Sequence, residues 1–255
     1  MNPDKLFLRF VFVLLLLPFF SKAQGVDKLL LEAKQQEAVF RDNEALSKYL
    51  EVLKLQPDHI TALCKVSELY SLTGKRQATK EKQKEYYAAA LKYAKQAYAT
   101  NPTSADACFV MSVAMGRLAM MASGQEKIDA VKAIKSYAEK AVIYDPGNFK
   151  GYHVLGKWHY EVSDLNSLER WLVKVTYGAL PDASLSKSIA YYEKSMQLNG
   201  AILINYLELA KAYHRNDEEK KAIATLEAMG RLPNSSGDDA TIRAEAKKLL
   251  EKWKD

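Results

Sequence analysis

The chain has 255 residues, 37 Lys and Arg against 31 Asp and Glu, 48% hydrophobic residues, and only two Cys. That apolar fraction excludes wholesale disorder, and eleven Gly with seven Pro leave little room for a turn-rich all-β fold. Two Cys exclude a disulfide-dense scaffold, and a formal charge of +6 with Lys and Glu alternating is no nucleic-acid footprint.

The first element is an address. Lys5 and Arg9 make a basic start, and residues 10–20 (FVFVLLLLPFF) form an eleven-residue apolar run. Ser21-Lys22-Ala23 then places small residues at −3 and −1 before Gln24. This is the layout of a secretory signal peptide over residues 1–23. The run falls short of the roughly 20 residues a membrane span needs. The expectation is export to a periplasm or the medium. The alternative is an uncleaved anchor, with membrane contact only through residues 6–20.

From Val26 onward the chain reads as helix. Apolar residues recur at three- and four-residue intervals, as in Leu46, Tyr49, Leu50 and Leu53. No convincing alternating stretch appears, so no strand is expected. Turn chemistry breaks the pattern at Gln56-Pro57-Asp58, Asn101-Pro102-Thr103, Asp145-Pro146-Gly147 and Asn199-Gly200. A spacing of about 45 residues with one longer interval points to stacked helical hairpins.

Aligned on those corners, the columns agree. Nine residues past each stand Val66, Met111, Leu155 and Leu209, and ten past stand Ser67, Ser112, Gly156 and Ala210. A small residue in one column lets two helices approach closely. Twelve, eight and five residues before the corners come Ala45, Ala90, Ile134 and Ser188, then Tyr49, Ala94, Ala138 and Tyr192, then Val52, Ala97, Ala141 and Ser195. The layout resembles the tetratricopeptide repeat. The expected fold is all-α: a tetratricopeptide-like α-solenoid over residues 24–255. Its units are roughly 27–57, 58–102, 103–146, 147–200 and 201–234, closed by a helix over 240–253.

Elongated inter-helix inserts are expected near Thr73–Glu85, near Ser123–Gln125, and from Glu161 to Leu185. The last carries Leu165, Leu168, Trp171, Leu172 and Val175 at helical spacing, so it is expected to pack, with Trp158 and Trp171 stapling it to its hairpin. Asp238 or Asp239 is expected to cap the closing helix.

One stretch carries a family resemblance. Leu155-Gly156-Lys157-Trp158-His159-Tyr160-Glu161-Val162 is followed by Leu168-Glu169-Arg170 and by Tyr177-Gly178 before Pro181. Over about fifty residues this resembles the regulator of microtubule dynamics family. The resemblance implies a tetratricopeptide-like fold and a protein that binds rather than catalyses, associated with microtubules or organelle surfaces.

No catalytic motif appears: HExxH, GxSxG, a Walker loop and GxGxxG after a strand are all missing. No enzyme, metal or cofactor is therefore expected. His59, His153, His159 and His214 fall on separate helices or faces and read as core or groove residues. Cys64 and Cys108 sit on adjacent first helices about 10 Å apart, too far for a bridge, and read as buried free thiols. Met111, Met115, Met120 and Met121 read as core. The functional candidate is the groove lined by first helices. Its expected lining is Phe109, Val113, Arg117, His153, Lys157, Tyr160, Leu207, Lys211 and His214, with Lys150 and Arg215 nearby. Cations and aromatics together suggest a protein or peptide partner, acidic in character, with no nucleic acid involved.

Overall fold

The computed structural model describes residues 24–254; the expected signal segment lies outside them. Every element among the described residues is a helix. The first, α1 (24–38), pairs with α2 (Asp42–Leu55). Then come α3 (Ile60–Lys75) with α4 (Lys80–Thr100), and α5 (Ala105–Met121) with α6 (Gly124–Tyr144). Next, α7 (Phe149–Ser163) pairs with α9 (Leu185–Leu198) across an intervening α8 (Ser167–Tyr177). The stack ends with α10 (Leu203–Arg215), α11 (Glu219–Gly230) and α12 (Asp239–Lys254).

The corners form for local reasons. At Asn101, Asp145 and Asn199 the side-chain oxygen accepts from the backbone N–H two residues on, at 3.1, 2.8 and 3.1 Å. This side-chain turn competes with the helix and ends it. Ser104 and Asn148 then cap the next helices, accepting from Ala107 N and Gly151 N.

Each hairpin is held where the small and second-helix columns meet. Ser67 Oγ of α3 donates to the Ala90 carbonyl of α4 at 2.9 Å. Ser188 Oγ of α9 donates to the Gly156 carbonyl of α7 at 2.8 Å. The same two columns make the same bond, with donor and acceptor exchanged. At Gly156 an added Cβ would lie 2.7 Å from the Tyr192 ring, so only glycine lets that fully buried ring seat. Ser67, Ser112 and Ala210 are likewise fully buried, so this is an all-α solenoid in the expected register.

Two expected inserts are helix instead. The α3–α4 connection is only residues 76–79, and that between α5 and α6 is Ala122-Ser123. The extra length extends the second helices, since α4 and α6 have 21 residues each. Gly74 permits this in α3, because Tyr86 and Tyr87 of α4 pack 2.8 Å from where its Cβ would stand.

The third insert is real but does not pack as expected. α8 buries no side chain. Leu168, Trp171, Leu172 and Val175 are all largely exposed, Trp171 at 57%. Local bonds hold it: an Asn166–Glu169 capping box, Arg170 donating to the Val162 and Leu165 carbonyls, and Lys132 donating to the Tyr177 carbonyl. Trp158 is buried but ties α7 to α6, its Nε1 donating to the Val131 carbonyl at 2.8 Å. Met120 is also exposed rather than core. Asp239 binds back to Ser235 and Ser236, while Asp238 reaches Arg76 instead of capping α12.

Candidate functional site: the inner wall

The first helices α3, α5, α7 and α10 touch in succession, and α12 follows α10. In a stack of hairpins such helices form the inner wall. One contact shows its curvature. Lys150 of α7 lies 5.1 Å above the Phe109 ring of α5 and reaches Glu68 of α3 at 2.6 Å. A single side chain bridges two helices across the one between them, so the wall bends inward there.

The wall carries a ladder of ion pairs between units. Lys65 of α3 meets Glu37 of α1 at 2.7 Å. Lys157 of α7 meets Glu208 of α10 at 2.7 Å and its own Glu161 at 2.9 Å. Lys211 of α10 meets Glu208 at 3.3 Å and Glu245 of α12 at 2.6 Å. Burial alone would raise the Glu68 and Glu208 carboxyls. Lys150 and Lys65 beside the first, and Lys157 and Lys211 beside the second, outweigh burial and hold both below the ordinary range. Burial would likewise lower Lys157 and Lys211, but their carboxylate partners raise them.

Beneath the ladder lies a neutral network. Asn205 Nδ2 donates to the Tyr192 carbonyl at 2.9 Å, which turns Asn205 Oδ1 toward His153 Nδ1, also at 2.9 Å. Nδ1 of His153 must then carry the proton and donate. Burial lowers the pKa of His153, so this ring is a neutral hydrogen-bonding group.

The candidates separate into clusters. His153, Lys157 and Lys211 gather around Glu208 and Asn205. Tyr160 adjoins this cluster, with Lys157 Nζ 5.5 Å and the Arg215 guanidinium 3.9 Å from its ring centroid, and Arg215 pinned to the Tyr160 carbonyl and Asp164. His214 stacks on Trp253 of α12, ring centroids 4.2 Å apart. Arg117 stands over the Tyr87 ring of α4. Leu207 is a correction: at 1% exposure it is buried in the apolar cluster with Tyr192, Leu226 and Ile242 rather than open to the groove, because a leucine packed there removes apolar surface from water. Phe109 is buried under Lys150 and offers a partner only its rim.

Glu37, Glu68, Asn205, Glu208 and Glu245 were not among the residues expected from sequence. The signal was there: Glu68 shares a column with Lys157 and Lys211, and Glu208 shares one with Lys65. Cys64 and Cys108 are free and buried, and burial, the largest effect, pushes the Cys64 thiol up to about 12. His159 accepts from the Ser184 N–H at 3.3 Å, packed by Trp158 and Tyr191, and its pKa is lowered by burial to about 4. A separate apolar cleft of about 490 Å³ opens between α6, α7 and α8, lined by Ile128, Val131, Val162, Leu165, Leu172 and Tyr177.

Stacked hairpins in this register define a tetratricopeptide-type helical-repeat protein. A thermophilic tetratricopeptide-repeat protein of Thermus thermophilus matches with a TM-score of 0.66 at 18% identity, over 89% of this chain and 99% of that one. PilF of Pseudomonas aeruginosa matches with a TM-score of 0.54 at 12% identity, over 91% of this chain and 86% of that one. At such identities the likeness shows the fold. The family described as regulator of microtubule dynamics protein 1-3 matches residues 24–254, and the chain belongs to it.

Regulator of microtubule dynamics protein 1 of Bos taurus is 27% identical over 179 residues, 69% of this chain and 56% of that protein. That of Caenorhabditis elegans is 26% identical over 160 residues, 63% of this chain and 71% of that protein. The chain spans about half the length of the vertebrate protein. No helix among the described residues is long and apolar enough to cross a membrane.

Proposed function

We propose that the chain is a non-enzymatic scaffold that holds a segment of another protein along its inner wall. The carrying observation is the Lys157–Glu208–Lys211–Glu245 ladder, in which charges of both signs from three helices line one concave surface. A partner segment meets paired lysines rather than bare ones. A segment bearing both acidic and basic residues therefore fits the middle of the wall better than a purely acidic one. Tyr160, braced by Arg215, supplies a rigid aromatic anchor beside the ladder. Export of the mature chain from Gln24 belongs to the same reading, and N-terminal sequencing of the protein recovered from cells tests it.

Selection of a displayed random-peptide library on the full chain tests the binding surface. The comparison protein is the triple variant Lys157→Gln, Glu208→Gln, Lys211→Gln, which removes the three central charges together and leaves only the solvent-exposed Glu161 and Glu245 without their lysines. Enriched peptides should bind it at least tenfold more weakly; equal binding contradicts the wall as the site. A second reading, association with microtubules, is supported by the names of the relatives. Co-sedimentation of the chain with polymerised tubulin tests it.

A further inference from the structure

We propose that Arg117 anchors an oxyanion subsite on the inner wall, taking a carboxylate of the bound segment. The source of that carboxylate rests on the scaffold reading above; the subsite itself rests on what surrounds Arg117.

Every other wall cation described so far is answered. Lys65 has Glu37, Lys150 has Glu68, Lys157 and Lys211 share Glu208, and Arg215 has Asp164. At the end of α3, Arg76 has both Asp42 and Asp238. Arg117 has no carboxylate partner among the described residues. Its Nη1 reaches only the Met120 sulfur, a weak acceptor, at 3.9 Å, and its Nε is buried without a hydrogen-bond partner. The guanidinium stands 5.4 Å from the Tyr87 ring centroid, with one face covered by an aromatic. The carboxylate whose field reaches it, Asp238, is held by Arg76 and Lys75. Burial, the largest effect, lowers the Arg117 pKa.

A second orphan lies on the neighbouring helix. Ser71 of α3 stands one register position from Arg117 when both are counted from their corners, on a helix packed against α5. Its side chain is buried, and Oγ has no hydrogen-bond partner. Gly74, one turn on, is where the Tyr87 ring packs. The end of α5 thus presents a planar fork of N–H donors with no acidic partner among the described residues, which a carboxylate fits. A buried charge without a counter-ion is costly, so a ligand anion would relieve a cost already built into the fold.

Thermal melts of the full chain test this at matched ionic strength in sodium chloride, sodium succinate and sodium phosphate. Succinate should raise the wild-type midpoint above its value in chloride by a few degrees. Arg117→Met should melt higher than wild type in chloride and lose the succinate-specific rise. An equal rise in wild type and Arg117→Met overturns the subsite. A wild-type rise with phosphate alone overturns the assignment to carboxylate. Should the variant not fold, titrating succinate into the wild type while observing the Arg117 side-chain N–H by NMR decides the matter: a saturating shift supports the subsite, and no shift overturns it. Because the library selection varies Lys157, Glu208 and Lys211 and these melts vary Arg117, either reading can fail without the other.

Discussion

Residues 147–200 hold a close-packed junction and a helix that buries no side chain side by side. Where α7 meets α9, Gly156 receives the Tyr192 ring, Ser188 bonds the Gly156 carbonyl, and Ser195 bonds the Phe149 carbonyl. A few residues away, α8 has as regular an apolar pattern and buries nothing. Periodicity alone makes a helix; a column shared with neighbouring units makes a packed one. α8 has no counterpart in the other units to supply the facing surface.

The largest effect should come from closing the gap at the junction. Gly156→Leu drives a side chain into the Tyr192 ring and should cost about 3 kcal/mol in urea unfolding, the upper end for an overpacked core. A cost below about 1 kcal/mol would mean that the junction is not tight.

Acid should act on the same junction through His159. Its folded pKa of about 4 lies below the ordinary 6.5, so between those values the unfolded chain binds the extra proton. Stability therefore falls as pH drops from 6.5 toward 4, by up to about 3 kcal/mol. Denaturant titrations across that range should show a shallower loss in His159→Phe, with the remaining slope owed in part to His153.

A smaller effect is expected on the wall. Glu208→Ala leaves Lys157 and Lys211 only their exposed partners Glu161 and Glu245 and should cost about 1–2 kcal/mol, whereas the triple Gln variant should stay within about 1 kcal/mol of wild type. A double-mutant cycle on Glu208 and Lys157 checks the coupling. The smallest effect belongs to α8: Leu168→Ala and Trp171→Ala should each change stability by less than about 0.5 kcal/mol. A larger loss would show that α8 packs in solution.

The corners and columns were legible because they recur. Pro102, Pro146 and the small residues Ser67, Ser112, Gly156 and Ala210 announce the register four times over, and the register places the helices. What failed to show were features that occur once. Gly74 reads as a turn residue until the Tyr87 ring is seen lying on it, and α8 reads as packed because its pattern does not say whether a partner surface exists. The wall was half legible. Its cations could be counted from the columns, but several of their carboxylates lie on the next unit or beyond, as with Lys150 and Glu68, and only curvature brings those together.

The most direct test of the inner wall is hydrogen exchange on the full chain, free and saturated with a selected peptide. Added protection should fall on α5, α7 and α10 and leave α4, α6 and α11 unchanged. Protection concentrated on α8 and the α6–α7 cleft, with the wall unaffected, would contradict it.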